Sequence, residues 1–398
     1  MSAVKTLHAC ALACLFLLAT SQATQAATLR EALDQAWSAQ IPAQNAQKER
    51  YSADIQASQA WTPEPPSIGF SHTTDQLNDN TGRREWEVEL STPVWTYGQR
   101  ERATNVALAE QAAFTADSTL ARLSLAGSLR EAWWAARLAQ LDFDLAKRKL
   151  AAEQEIAIDV SRRVKAGDLA TTDDRQSKIA VLQAKKEVGI AQLAFERAQQ
   201  SFTLLSRGAA LPEQSEALQE RSGEHPLLAS LGFNANSAQA KLQQAAGDTR
   251  NAPEVALTYT SEKDASDEPY RGRVKVGIKI PFGSEARNQP RITAANAALI
   301  QAQTQLDLEK QQITNALKVA QAELAQSRTE QDIAAEQLQL ANERAQWIEK
   351  GFRLGQFDLT TQLKSLQERF AAESEHARSR LAVDRAISRV NQAAGILP

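Results

Sequence analysis

The sequence predicts a mainly α-helical chain of two tandem repeats, each a pair of long helices with a β-hairpin, and three observations carry that prediction. No proline falls between Pro93 and Pro212 or between Pro290 and Pro398, and helix interiors exclude proline. Landmarks recur at a nearly fixed offset along the chain. Short segments outside the helical stretches alternate strictly between apolar and charged residues, as half-buried strands do.

The helical stretches cover about residues 98–206 and 286–394, each broken once, near Gly167 and near Gly355. An arm of more than about 60 residues reaches roughly 90 Å at 1.5 Å per residue, which describes a rod and not a globule. Ala334, Leu338, Ala341, Ala345, Ile348 and Phe352 step by threes and fours, as do Trp134, Leu138, Leu141 and Leu145. Such stripes mark packed helices. A solvated structural coiled coil would show the same stripes, so the helices alone leave the function open.

The repeat is more specific. Pro66-Ser-Ile-Gly-Phe70 pairs with Pro253-Glu-Val-Ala-Leu257 at an offset of 187 residues, and Gly208 pairs with Gly395 at the same offset. Pro93 with Pro281, Gly167 with Gly355 and Thr172 with Thr360 are each 188 apart. These anchors divide the chain into a first repeat, 28–208, a linker, 209–224, and a second repeat, 225–395.

Each repeat carries two expected strands, at about 66–73 and 84–93 and at about 253–260 and 271–281. In the second, Trp86, Val88 and Leu90 share one face, and Glu85, Glu87 and Glu89 share the other. In the fourth, Val274, Val276, Ile278 and Ile280 oppose Arg273, Lys275 and Lys279. Ile68, Phe70, Val255, Leu257 and Tyr259 supply the apolar face of the other two. A soluble sheet with one buried face alternates in the same way. Strands of about 9 to 11 residues with an apolar outer face and a polar inner face are also what a membrane β-barrel requires. Four strands cannot close such a barrel, since even small ones need about eight, and an open edge in lipid leaves backbone groups unpaired. A barrel reading therefore demands oligomerisation; three copies supply twelve strands, with the six charged side chains lining the lumen and the acidic and basic rows free to pair across neighbouring strands.

The first 26 residues read as a signal peptide: Lys5, an apolar core from Ala9 to Thr20, then small residues up to Ala26. Both cysteines, Cys10 and Cys14, fall within it, so the remainder offers no disulfide or thiol chemistry. Ala11 stands where a lipoprotein signal usually has Leu, which argues against a lipid on Cys14. Removing Lys5 from the 45 basic residues leaves 44 against 48 acidic ones, a balance that disfavours nucleic acid as a partner. No later stretch is apolar enough for a membrane-spanning helix. His72, His225 and His376 lack metal-ligand spacing, and no phosphate loop, nucleophile elbow or zinc motif occurs. The chain reads as a non-enzyme with no cofactor and no bound metal. Trp61, Trp86 and Trp95 surround the first hairpin, where they could anchor a barrel at the lipid interface or serve packing; Trp133, Trp134 and Trp347 are expected to pack between helices.

On these residues the chain resembles the TolC-like outer-membrane efflux proteins over essentially its whole length. The opening Thr28-Leu-Arg-Glu-Ala-Leu33 is similar to that family's usual start. Leu90-Ser-Thr-Pro-Val-Trp-Thr-Tyr-Gly-Gln-Arg100 and Lys279-Ile-Pro-Phe-Gly-Ser-Glu-Ala-Arg-Asn-Gln289 resemble its two strand-to-helix junctions, and Gly167 and Gly355 its two helix-hairpin tips. The resemblance implies a homotrimer in the outer membrane of a Gram-negative bacterium. A twelve-stranded barrel held in outer-membrane lipid would continue into an α-helical periplasmic tunnel. It also implies two protein partners, a periplasmic adaptor and an inner-membrane pump of the resistance-nodulation-division type, with passive conduction through a gated tip. Arg287-Asn-Gln289 is most similar to the heavy-metal, CzcC-like branch, which implies divalent cations as cargo; multidrug or other small-molecule efflux is the alternative. In the family the tip carries acidic rings, which makes Asp173 and Asp174 gate candidates, although Asp in a helix's first turn also serves as a cap. Thr361 and Lys364 stand where well-known members have aspartates, and a ring of Lys364 would repel cations. A periplasmic adaptor or coiled-coil scaffold is the rival of another class; adaptors usually carry one helical hairpin between β-rich domains, whereas this chain has two hairpins and four short strands.

Overall fold

The computed structural model describes residues 28–398 apart from 80, 222, 283 and 284; the expected signal peptide lies outside the described residues. In chain order the elements are α1 (Leu29–Ser38), α2 (Ile41–Ser58), β1 (Ser67–Thr74), β2 (Arg84–Pro93), α3 (Gln99–Ala166), α4 (Thr171–Leu205), α5 (Pro226–Gly247), β3 (Glu254–Lys263), β4 (Arg271–Lys279), α6 (Glu285–Arg353) and α7 (Leu359–Ala393). The fold is mainly helical with one small antiparallel sheet, the class the sequence predicts. The proline-free stretches become two pairs of helices, of 68 and 35 residues and of 69 and 35 residues. Pro290 sits inside α6, within its first two turns, where few backbone hydrogen bonds are at stake.

The chain divides into two compact units, and each draws on both halves of the sequence. One comprises the described residues up to Ala39, Arg122–Ser222 and Asn315–Pro398; the other comprises Gln40–Ala121 and Gly223–Thr314. They are not the two sequence repeats. A helix of nearly 70 residues buries different stretches of its length against different partners, so α3 and α6 contribute to both units.

In the first unit three apolar clusters hold the helices. Thr28 and Glu31 form a reciprocal capping box that starts α1. The buried stripe Leu29, Ala32, Leu33 and Ala36 then packs on Ala126, Leu129, Trp133 and Trp134 of α3 and Phe202 of α4. Ala320 and Leu324 of α6 meet Ala386 and Val390 of α7. Val160, Phe352, Leu359 and Leu363 close the end near the two turns. Small residues at these contacts let helix backbones approach: a Cβ on Gly127 would lie 3.0 Å from Gln392 Nε2.

The second unit holds the sheet, in the order β1-β2-β3-β4. Around it, Tyr51 of α2 and Phe114 of α3 place their rings 5.2 Å apart. Arg102 gives two hydrogen bonds to Asp248 Oδ1, and Asp117 accepts from Ser230 Oγ and Asn234 Nδ2.

One expectation about packing is corrected. Trp133 and Trp134 are buried as expected, but Trp347 is 77% exposed. It belongs to a stripe with Ile333 and Leu340, all exposed and spaced by seven, on a different face of α6 from the buried Ala334, Ala345 and Phe352. Leu138 is also exposed, and both it and Ile190 line an open cavity.

Candidate functional site

Two regions carry the residues singled out from the sequence, the sheet in one unit and the pair of helix turns in the other. In the sheet, alternation fixes the faces and register aligns them. Phe70, Val88, Tyr259 and Val274 form one cross-strand row, and Ile68, Leu90, Leu257 and Val276 form the next. Every one of these side chains is exposed, from 39% for Val88 to 79% for Phe70. Stacking of His72 on Trp86, with ring centroids 4.1 Å apart, continues the face toward the hairpin turns. An apolar face of this extent left uncovered needs an apolar environment or a partner.

On the opposite face the rows are polar throughout: Gly69, Glu89, Thr258 and Lys275; then Ser71, Glu87, Thr260 and Arg273; then Thr73, Glu85 and Glu262 with Arg271 of β4. Within the sheet the acidic row of β2 and the basic row of β4 do not adjoin, because β3 lies between them. Glu262 of β3 bridges them instead: it pairs with Arg273 and, at 3.1 Å, with Arg83, which also reaches Glu85 at 3.1 Å. Lys279 lies 3.6 Å from Glu254. Thr258, Thr260 and Glu262 were missed as wall residues, although their phase opposite to Leu257 and Tyr259 would have found them.

Each of β1 and β4 keeps one unpaired edge. A ten-residue strand such as β2 or β3 extends about 34 Å. At a barrel tilt of about 40–45° it stands about 25 Å tall, the height of the apolar band of outer-membrane barrels.

At the other region the two turns close identically. Gly167 (φ +87°) follows α3 and Gly355 (φ +74°) follows α6, both in the left-handed conformation that glycine tolerates best. Gly167 N–H donates to Val164 O and Asp168 N–H to Arg163 O; Gly355 N–H donates to Phe352 O and Gln356 N–H to Gly351 O. Both are Schellman closures. The same motif ends α4 and α7, with Arg207 (φ +57°) and Gly395 as the left-handed residues. Structurally, then, Gly395 corresponds to Arg207 and not to Gly208, which restores the offset of 188 along the second helix of each pair.

Asp173 and Asp174 lie in the first turn of α4, and Asp173 takes part in its cap. Asp173 Oδ2 accepts from Ala170 N–H at 3.2 Å, and Asp174 Oδ2 pairs with Lys178 at 2.7 Å. At the second turn the N-cap of α7 is itself acidic: Asp358 accepts from Thr361 N–H at 2.8 Å, and its hydrogen bonds from Thr361 hold its carboxyl below the ordinary aspartate value. Thr361 is half-buried and Lys364 exposed. Further along the first hairpin, Glu153 is buried, and burial raises its carboxyl above the usual range, with Lys149 opposing the shift and Glu187 adding to it. His225 caps α5 by accepting from Leu227 N–H. Among the described residues no group of three or more His, Cys, Asp or Glu could hold a metal ion, and no helix is long and apolar enough to cross a membrane.

No family model matches the chain. Over 249 residues it is 24% identical to the cobalt-zinc-cadmium resistance protein CzcC of Cupriavidus metallidurans, a match covering 58% of this chain and 58% of that protein. The chain thus aligns with less than two thirds of that relative's length. The outer membrane protein VceC of Vibrio cholerae superposes over 92% of this chain and 96% of its own, with a TM-score of 0.73 at 14% identity. The open state of the Neisseria gonorrhoeae MtrE outer membrane channel covers 92% of this chain and 89% of its own, with a TM-score of 0.74 at 16% identity.

Proposed function

We infer that this chain, which has the fold of the TolC-like outer-membrane channels, is the channel subunit of a tripartite efflux system in the outer membrane. The observation that carries this reading is the two-faced, two-edged sheet: an exposed apolar face, a polar face with its own ion pairs, and open strands on both sides. Backbone groups on those edges must pair if the apolar face lies in lipid, and four strands are too few to close. Three copies would close twelve strands with Glu85, Glu87, Glu89, Arg273, Lys275 and Lys279 toward the lumen. The helices would continue the conduit into the periplasm and end at the Gly167 and Gly355 turns, where an adaptor would connect the channel to an inner-membrane pump of the resistance-nodulation-division type.

Divalent heavy-metal ions are the cargo this reading favours, supported by the Arg287-Asn-Gln289 stretch and by the likeness to a cobalt-zinc-cadmium resistance protein. They would pass as substrate, not as a resident cofactor. The tip would work differently from an acidic constriction, since Asp173 is engaged in capping and Lys364 is exposed; Gly167, Asp173, Asp174, Gly355, Thr361 and Lys364 mark the docking and gating end. The test is growth of a channel-deficient Gram-negative host carrying this protein with its cognate adaptor and pump, across zinc, cobalt, cadmium and lipophilic drugs. Restored tolerance to metals supports the full reading, and tolerance to drugs alone keeps the channel and overturns the cargo. Recovery of the protein only in soluble or inner-membrane fractions would favour an adaptor or scaffold instead.

A further inference from the structure

Side-chain contacts in the first unit set the order of its long helices. Lys149 of α3 reaches Glu187 of α4, and Phe143 stacks on Phe195. Asp142 and Arg148 of α3 reach Arg378 and Glu373 of α7, and Glu323 and Arg344 of α6 reach Arg389 and Glu368 of α7. The order is α4-α3-α7-α6, with α4 and α6 at the two margins. Both margins carry apolar side chains in the open: Leu182, Ile190 and Leu193 on α4, and Ile333, Leu340 and Trp347 on α6. Because both stripes are exposed, neither helix covers the other there, and uncovered apolar stripes of this length call for a partner.

The same contacts fix heights. Neighbouring helices run antiparallel, so stepping from these pairs residue for residue puts Trp347 level with Val181, Glu343 with Lys186, Ile333 with Leu193 and Glu330 with Arg197, each within about one helical turn. At the height of Trp347, α3 and α4 leave an open groove of about 960 Å³ with an apolar wall of Ala157, Ile158, Val181 and Leu182. Charge is complementary at matching heights. Lys186 and Arg197 lie four residues from Leu182 and Leu193 on the stripe of α4. Glu330 and Glu343 lie three residues from Ile333 and Leu340 beside the stripe of α6, each accepting from a glutamine one turn earlier.

We propose that α6 of one copy packs against α4 of the next, with Trp347 seated in the groove between α3 and α4 and with Glu343 and Glu330 paired to Lys186 and Arg197. A rotation axis along the helices keeps every residue at its own height, so a second copy brings the complementary stripe to the level where it is needed. The contact joins two different surfaces, and rotation closes it into a ring. This seam rests on the trimeric channel reading and deepens it by naming the surfaces that meet.

The test uses the full-length protein in lipid nanodiscs; its two cysteines lie in the expected signal peptide. Ile333→Cys combined with Leu193→Cys should be bridged between copies by a short bis-maleimide, giving a covalent ladder that ends at three. Ile333→Cys combined with Ile179→Cys, about 21 Å out of height, should not be bridged. The mass of the unmodified protein in the same discs reports assembly independently and should be that of three copies. In detergent, Trp347→Ala should raise the concentration for half-assembly at least about 30-fold, the effect of losing an aromatic anchor. Lys186→Glu should weaken assembly at low salt, and Lys186→Glu with Glu343→Lys should restore it. A three-copy mass without bridging of the level pair, or with equal bridging of the displaced pair, would overturn the seam and leave the channel reading standing. A single-copy mass would overturn both.

Discussion

Arg130 offers the sharpest test of how the first unit is held. Its side chain is 3% exposed, and that of Glu216, in the linker, is 8% exposed. The guanidinium reaches the two carboxylate oxygens at 2.9 and 3.0 Å, Ile396 O at 3.0 Å, and Gln392 Oε1. One side chain of α3 therefore ties down the linker, α7 and the residues after it. Arg130→Met keeps most of the volume and leaves the Glu216 carboxylate buried without a counter-charge, which should cost about 3–5 kcal/mol. Replacing both residues in Arg130→Met/Glu216→Leu should recover most of that loss, because an apolar pair of similar size carries no desolvation penalty. A double-mutant cycle on denaturant unfolding, followed by circular dichroism at fixed protein concentration, measures the coupling. Destabilisation of Arg130→Met by less than about 0.5 kcal/mol, the range of an ordinary surface change, would refute the reasoning. So would a double variant as weak as the sum of the singles, since the pair would then be solvated and not a buried tie.

Three further outcomes follow from local geometry. Gly189 lies inside α4 with nothing within 4 Å of an added Cβ, so Gly189→Ala should stabilise by about 0.4–1 kcal/mol; the same change at Gly351, where the Cβ would sit 2.4 Å from Phe357 Cδ2, should destabilise by about 1–3 kcal/mol, both read by denaturant midpoint. Glu153 has a raised carboxyl pKa, so the folded state binds its proton more tightly than the unfolded one, and stability falls as pH climbs from the ordinary value of 4.5 through the raised value. Glu153→Gln should therefore be more stable than the parent at pH above that window, with the gap narrowing toward 4.5. Asp358 has a lowered pKa, so its cap is fully present above 3.8 and is lost as pH falls through the lowered value; Asp358→Ala should speed amide exchange in the first turn of α7 at neutral pH and make no difference in strong acid.

The long helices, both turns and all four strands were legible because each rests on a one-dimensional signal: missing prolines, a left-handed glycine, alternation at period two. The strand faces were legible for the same reason, since a row such as Trp86, Val88 and Leu90 has only one way to lie on a pleated surface. What sequence could not supply was neighbourhood. The acidic and basic rows have opposite signs, but only the strand order reveals that Thr258, Thr260 and Glu262 stand between them. Trp347 has the residue type of a core position, yet heptad phase assigns it to an exposed stripe, and a helix with two apolar stripes does not declare which one is covered. Asp173 sits at a helix start where gate and cap look alike in sequence; the bond it accepts from Ala170 N–H is a capping contact that only the fold reveals. The tie through Arg130, 86 residues from Glu216 and 262 from Gln392, leaves no periodic trace at all.

The central claim is that one face of the sheet meets lipid and the other meets water. The two cysteines, Cys10 and Cys14, lie in the expected signal peptide, so single cysteines can be placed along β4 and β2 of the protein in lipid. Cysteines at Val274, Val276 and Val88 should carry a fluorophore that brominated lipid quenches and should resist a charged, water-soluble thiol reagent. Cysteines at Arg273, Lys275 and Glu87 should react with that reagent and escape quenching. An alternating pattern is expected; equal reaction with the water-soluble reagent at all six positions would place the sheet in water and exclude a lipid-facing side.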